Sequence, residues 1–148
     1  LKMTLHAIAD DLNESLDSFA YQPLSDFMTE KLSVLEQQLK GIALLKICPD
    51  QITAAILSLG EYVSVRIFSE ILNAKGLRNH IIDPVDSIVE HGDYLDSIAD
   101  LSASKARFSD VDTSGAALII MPRFVAVNEL GEKVTLGRNG SDYSAAIL

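Results

Sequence analysis

The chain has 148 residues, and its 21 acidic and 12 basic side chains give it a formal net charge of −9. A hydrophobic fraction of 48% with four prolines and eight glycines excludes a disordered, collagen-like or low-complexity chain. A chain of this length buries about two thirds of its unfolded surface, which is enough for one globular core. The acidic balance argues against a nucleic acid as partner, because that binding depends on many Lys and Arg contacts to phosphate.

The cysteine content and the apolar pattern bear on location. The chain has one cysteine, Cys48, which forms no internal disulfide and favours a reducing compartment, so we expect a cytoplasmic protein. We expect neither a membrane span nor a signal peptide, because no uninterrupted apolar run reaches about 18 residues. The chain begins with Leu1 and ends in the apolar run 145–148, which resembles an unfinished helix. These ends suggest a piece of a longer protein.

The first half of the sequence has helical periodicity. Apolar residues at steps of three and four predict an amphipathic helix over about 3–19 and a long second helix from 23 to about 45. A short helix capped by an aspartate is predicted over 50–60, and a further helix over 61–75. Gly76 is a natural C-terminal stop for that helix.

The second half mixes strands with helices. Short β-branched or apolar runs predict a strand at 79–84, a weaker one at 95–101 and a buried one at 116–121. Residues 102–108 form a predicted short helix, and the turn at 128–132 joins two further strands. This order indicates an α/β layered domain with a largely buried sheet. No linker composition marks a domain boundary.

A strand, a glycine loop and a helix follow one another at the end of the chain. Gly137 and Gly140 let the backbone turn sharply and approach a ligand, and the start of the next helix favours a negative group. Arg138 and Asp142 are four residues apart, and such a pair can hold the carboxylate and the ammonium of one amino acid. The alternatives are a plain connection, or a surface ion pair beside Ser141 as N-cap.

Glu61 is a second candidate. It follows Gly60 at the predicted mouth of a helix, where the helix dipole stabilises an acid, so it is either a capping residue or part of a site. The three histidines His6, His80 and His91 have no partners at metal-ligand spacing, so we expect no metal site. The Gly-x-Gly-x-x-Gly pattern of dinucleotide-binding proteins is absent.

Residues 136–146, Leu-Gly-Arg-Asn-Gly-Ser-Asp-Tyr-Ser-Ala-Ala, resemble the L-G-R-x-G-S-D-[YF]-[ST]-A-A signature of aspartate kinases. Upstream segments follow in the family's order: Cys48-Pro49-Asp50, Gly60-Glu61, Ile82-Asp83-Pro84 and the run ending in Met121-Pro122-Arg123-Phe124. The helical first half is similar to the helical insert of the bifunctional aspartokinase/homoserine dehydrogenases of bacteria.

This resemblance implies a partial amino-acid kinase fold, a carbamate kinase-like α/β/α sandwich with a helical N-terminal half. It also implies an enzyme that uses ATP and Mg²⁺ to phosphorylate the β-carboxylate of L-aspartate, the first step of lysine, threonine and methionine biosynthesis. By position, Glu61 would contact substrate aspartate, Arg138 would clamp its α-carboxylate and Asp142 would lie near its ammonium. Ser141 would stand at the helix start, and the remaining loop residues are Gly137, Asn139 and Gly140. The resemblance gives this part of the enzyme no catalytic residue and no metal ligand.

The resemblance divides the chain into a helical insert at 1–45 and a substrate-binding α/β part at 46–148. The family's Lys-Phe-Gly-Gly-Thr-Ser strand and its Thr-Asp-Val-Asp-Gly stretch in the nucleotide-binding half are absent, so we expect these residues alone to be inactive. The uncovered sheet predicts self-association, and we expect a homo-oligomer. Leu59 stands where relatives usually have a polar or basic residue, and Arg123 stands where they usually have a glycine. The departures leave open a non-catalytic interaction or oligomerisation module, and a kinase for glutamate is a third alternative.

Overall fold

The computed structural model describes residues 1–137 and 140–148. Its helices are α1 (Lys2–Ser15), α2 (Tyr21–Leu45), α3 (Asp50–Ala74), α4 (Pro84–Ser87), α5 (Leu101–Phe108) and α6 (Gly140–Ile147). Its strands are β1 (Asn79–Ile81), β2 (Glu90–Asp93), β3 (Asp96–Ala99), β4 (Leu118–Ile120), β5 (Val125–Val127) and β6 (Lys133–Thr135). The predicted change from helices to mixed structure near residue 79 is confirmed.

The first three helices form a core of their own. Helix α1 packs on α2, and α2 packs on α3. Helix α1 ends four residues before its predicted end, because Leu16 is extended and Ser18 is left-handed with φ 62°. Phe19 nevertheless packs in this core from the connection to α2. The buried members of the cluster are Ala9, Phe19, Leu24, Met28 and Val63.

Helix α3 is continuous, so the predicted break at Gly60 is wrong. One glycine in a helix interior costs only about 1 kcal/mol relative to alanine, and apolar residues on both sides keep the helix packed. The helix ends at Ala74, and Gly76 takes the left-handed conformation with φ 76°, which confirms the predicted stop. Glu61 therefore lies inside a helix, not at its N-terminus, and helix capping does not explain it.

By length and composition alone, α3 is long and apolar enough to cross a membrane. The expectation of no membrane span rests on the absence of an uninterrupted apolar run of about 18 residues. Helix α3 contains no such run, because Glu61 and Arg66 interrupt it. The helix also packs against α2, β1 and β6, and it carries an Arg66–Glu70 ion pair with an N–O distance of 2.7 Å. A core helix of a soluble protein passes the same test.

The strands form three two-stranded sheets. Strands β1 and β4 are parallel, whereas β2 with β3 and β5 with β6 are antiparallel. Single bridges, Val89 to Val127 and Ser97 to Leu136, connect the two hairpins. The predicted burial of the 116–121 run is wrong in this chain, because Leu118 is 41% exposed.

A second buried cluster lies among these strands, and α3 connects it to the helical core. Its buried members are Ile82, Ile88, Met121, Ala126 and Val134. The Tyr62 hydroxyl on α3 donates to Asp83 Oδ1 at 2.6 Å, and Lys133 Nζ lies 4.1 Å from the Tyr62 ring centroid. Asp83 also caps α4 by accepting from the N–H of Val85. These contacts fix α3 against the strands that lead to the glycine loop.

Candidate functional site

The helix after the glycine loop begins earlier than the sequence indicates. Helix α6 starts at Gly140, so Ser141 lies within its first turn and is not the N-cap. Gly140 is buried, and a Cβ placed on it would lie 2.6 Å from the Cβ of Leu136 and 2.9 Å from the Cβ of Phe124. Both neighbours are rigid atoms, so this close approach needs glycine.

Ser144 joins α6 to the residue that precedes β5. Its hydroxyl donates to the Gly140 carbonyl and accepts from the Phe124 N–H, both at 2.9 Å, and the side chain is buried. The Phe124 carbonyl in turn accepts from the Leu136 N–H at 2.9 Å. Phe124 itself is left-handed, with φ 46°, which marks a sharp turn. The backbone at residue 124 is therefore tied both to the start of α6 and to the end of β6.

The residue before that turn reaches across to α3. Arg123 Nε donates to Glu61 Oε2 at 3.0 Å, and Arg123 Nη2 donates to Glu61 Oε1 at 3.1 Å. The Arg123 backbone N–H also approaches Glu61 Oε2 at 3.3 Å. The Arg123 side chain is therefore bound to the candidate site residue Glu61 and is not directed away into solvent.

This contact sets the charge of Glu61. The hydrogen bonds from the Arg123 side chain lower the pKa of Glu61 below its ordinary value, and this effect outweighs desolvation, which raises it. The Glu61 side chain is 16% exposed and that of Arg123 is 61% exposed. Glu61 is thus an ionised, mostly covered carboxylate whose partner comes from the surface.

Glu61 and the start of α6 are linked through two consecutive residues. Arg123 binds Glu61, and Phe124 binds Ser144. A cleft of about 300 Å³ lies beside this link. Its lining residues are Glu61, Ser64, Val65, Phe68, Ile120, Met121 and Arg123. An apolar cleft with an ionised carboxylate at its edge is suited to a small molecule that carries a positive group.

The other predicted site residues are placed in part. Asp142 lies in the first turn of α6 and is exposed, and Ser141 beside it is half-buried. Gly137 packs against Asp96, and a Cβ placed on it would collide with the carboxylate there. Arg138 and Asn139 lie outside the described residues, so their predicted places in the loop are not tested.

Sequence reasoning missed the partner of Glu61. The two residues are 62 positions apart, and no local pattern connects an arginine after a proline to a glutamate inside a helix. The available signal was the departure of Arg123 from the family's usual glycine. Within residues 1–137 and 140–148, no group of three or more His, Cys, Asp or Glu side chains is arranged to hold a metal ion.

The comparisons with known proteins agree with this architecture. The model of the amino acid kinase family matches residues 6–148. Over 132 residues the chain is 42% identical to the bifunctional aspartokinase/homoserine dehydrogenase of Buchnera aphidicola subsp. Acyrthosiphon pisum, covering 88% of this chain and 16% of that protein. Over 99 residues it is 39% identical to the protein of the same description from Haemophilus influenzae, covering 67% of this chain and 12% of that protein.

A solved structure shares the fold. E. coli aspartokinase III in complex with aspartate and ADP, in the R-state, matches with a TM-score of 0.83 at 21% identity, covering 99% of this chain and 32% of that chain. The predicted fold class and the predicted resemblance are confirmed. The chain spans only 12 to 16% of the length of the two bifunctional relatives.

Proposed function

Since the chain belongs to the amino acid kinase family, we propose that it supplies the aspartate-binding part of an aspartate kinase. The complete enzyme would transfer the γ-phosphoryl group of ATP to the β-carboxylate of L-aspartate. The observation that supports this proposal most is the link from Glu61 through residues 123 and 124 to the start of α6. Through these hydrogen bonds the ionised carboxylate is connected to the segment that carries the aspartate kinase signature.

The proposed roles follow from charge. An ionised Glu61 attracts only the ammonium of a zwitterionic amino acid and repels its two carboxylates. The first turn of α6 presents backbone N–H groups, which favour a carboxylate, and Arg138 would clamp the α-carboxylate there. Asp142 would add a second acid near the ammonium. Ser141 and the loop residues Gly137, Asn139 and Gly140 would shape the backbone around the substrate.

The chemistry asks little of these residues beyond positioning. The β-carboxylate of aspartate has an ordinary pKa near 4, so it is ionised at neutral pH and attacks without a general base. Phosphoryl transfer then depends on alignment and on neutralisation of phosphate charge. ATP and Mg²⁺ belong to the proposal for the complete enzyme. The described residues offer no cluster of three ligands for Mg²⁺.

The first test compares Glu61→Gln with Glu14→Gln in the complete protein that contains this chain. Glu14 lies exposed on α1, so the two variants remove the same charge from different places. The assay traps the acyl phosphate product with hydroxylamine. Loss of a charge-assisted hydrogen bond to the ammonium should raise the KM for L-aspartate about 10- to 100-fold in Glu61→Gln. Equal KM values for the two variants and the parent would refute the assignment of Glu61.

Arg138→Ala in the same protein tests the second half of the site. Removal of the carboxylate clamp should raise the KM for L-aspartate while the KM for ATP stays unchanged. An unchanged KM for L-aspartate would show that the clamp is assigned to the wrong residue. A panel of L-aspartate and L-glutamate in this assay distinguishes the aspartate kinase from the related kinase of glutamate.

One observation favours a second candidate, a non-catalytic derivative that serves as an interaction or oligomerisation module. Arg123 occupies the carboxylate that the proposed substrate needs. If Arg123 never leaves Glu61, the chain keeps the kinase fold but Glu61 cannot bind the substrate. Under this alternative the complete protein neither forms a hydroxamate nor binds L-aspartate, and Glu61→Gln changes nothing but stability.

A further inference from the structure

Arg123 meets the hydrogen-bonding needs of Glu61 as a ligand would. Two side-chain N–H groups reach the two different carboxylate oxygens, at 3.0 and 3.1 Å. A guanidinium and an ammonium both offer a positive charge and several donors, so they compete for one carboxylate. With the backbone N–H of the same residue, Arg123 supplies three donors to the Glu61 carboxylate.

We propose that Arg123 is an internal competitor of the substrate, with its guanidinium on Glu61 in the place that the ammonium of L-aspartate takes. This inference rests on the proposed function of Glu61. Arg123 thereby sets the affinity of the site for amino acids without belonging to the group of residues that hold the substrate.

The geometry makes the contact reversible. Arg123 is 61% exposed and Glu61 is 16% exposed, so the guanidinium can leave into solvent while the carboxylate stays in place. Within the described residues Arg123 has no ion pair other than the one with Glu61. The cleft of about 300 Å³ beside the pair offers room for a small molecule. An ion pair with one exposed partner contributes little free energy, so L-aspartate can displace it.

The competition has a chemical signature. A ligand that binds Glu61 through an ammonium must displace Arg123. A ligand with the same two carboxylates and no ammonium does not compete with Arg123 for Glu61. Succinate is L-aspartate without its ammonium. Removal of Arg123 should therefore strengthen the binding of L-aspartate but not that of succinate, because an uncovered Glu61 repels the carboxylates of succinate and gains no ammonium in return. A general loosening of the site does not produce this difference.

The experiment measures the Kd of L-aspartate and of succinate by calorimetry with the complete protein and its variants. Arg123→Gly removes the competitor, and Arg123→Gln removes its charge while keeping most of its length. The control is Arg107→Gln, on an exposed arginine of α5 whose only side-chain hydrogen bond within the described residues reaches a backbone carbonyl at 3.5 Å. We expect a Kd for L-aspartate that is about three- to tenfold lower in both Arg123 variants, a Kd for succinate that stays equal or rises, and less than about a twofold change for the control.

The outcomes separate this inference from the proposed function. If the parent binds L-aspartate and both Arg123 variants bind it equally well, the competition is refuted and the proposed function stands. A parallel gain for L-aspartate and succinate also refutes it. If L-aspartate binds to a variant but not to the parent, the competition is supported in its strongest form. If no form binds L-aspartate, the proposed function fails and the inference fails with it. Should Arg123→Gly unfold, Arg123→Gln decides.

Discussion

Glu90 is a fully buried carboxyl group. It lies on β2, paired with Ala99 of β3, and the residue is 0% exposed. Within the described residues, neither of its carboxylate oxygens has a hydrogen-bond partner. Burial raises the pKa of Glu90 from 4.5 to about 8. The group is therefore protonated in the folded chain at neutral pH, and Glu90→Gln replaces it with a neutral group of the same shape.

The magnitude follows from linkage between proton binding and folding. Between pH 4.5 and about 8 the folded state holds a proton that the unfolded state has lost, so stability falls as the pH rises through that window. A difference of about 3.5 pH units, at about 1.4 kcal/mol each, gives an upper limit of about 5 kcal/mol. Glu90→Gln does not titrate, and its stability relative to the parent should rise by at most about 4 kcal/mol from pH 5 to pH 9, since about 3 pH units of the window lie in that range.

Urea unfolding at pH 5, 7 and 9 measures this difference directly. We expect the parent to be as stable as the variant or more stable at pH 5, and the variant to be the more stable one at pH 9. Glu14→Gln, on an exposed residue of α1, serves as the matched control and should follow the parent at every pH. Parallel pH profiles for Glu90→Gln and the parent would show that Glu90 does not titrate as a buried, unpartnered group.

Three further substitutions test the packing around the site by thermal or urea unfolding. Gly140→Ala should destabilise by about 1–3 kcal/mol because its Cβ would overlap rigid atoms, whereas Gly60→Ala, with nothing within 4 Å, should stabilise α3 by about 0.5–1 kcal/mol; the opposite order would contradict the close approach at the loop. Ser144→Ala should cost about 1–3 kcal/mol, since it leaves a backbone N–H without its partner, and an unchanged midpoint would count against that contact. Tyr62→Phe should lower the free energy of unfolding by about 1–2 kcal/mol through loss of the 2.6 Å hydrogen bond to Asp83. A decrease below about 0.3 kcal/mol, as small as that of an ordinary surface substitution, would contradict this.

The sequence predicted the elements whose information is local. The hairpin around the turn at 128–132 is confirmed, since β5 and β6 pair antiparallel on either side of it. Asn128 Oδ1 stabilises the turn by accepting from the N–H groups of Leu130 and Glu132, as an Asn in a turn commonly does. The stop at Gly76 is confirmed for the same kind of reason. Both depend on a few neighbouring residues and one preferred backbone conformation.

The errors concern features that depend on distant packing. The sequence predicts a helix end at Gly60, but tertiary contacts on both sides of it keep α3 continuous. The run at 116–121 has the composition of a buried strand, yet Leu118 is exposed because within the described residues β4 has a strand partner only in β1. Strand β2 was not predicted at all, since His91, Gly92 and Asp93 carry no strand pattern and are ordered by pairing with β3.

The candidate site divides in the same way. The sequence alone identifies the signature residues of the loop, and it marks Glu61 as a candidate site residue. Its partner could not, because a bond between a helix interior and a turn 62 residues away is a property of the folded chain. The assignments of Glu61, Ser141 and Asp142 stay predictions, and those of Arg138 and Asn139 fall outside the described residues.

One of the three donors to Glu61 belongs to the main chain of residue 123, at 3.3 Å. This donor is present whichever amino acid other than proline occupies the position. The orientation of the carboxylate is therefore separable from the identity of the side chain at 123. Under the proposed function, exchange of this one side chain would weaken or strengthen the binding of L-aspartate and leave the backbone contact to Glu61 in place. Under that function, a single substitution at position 123 during evolution would be enough to change the affinity of the site for its substrate.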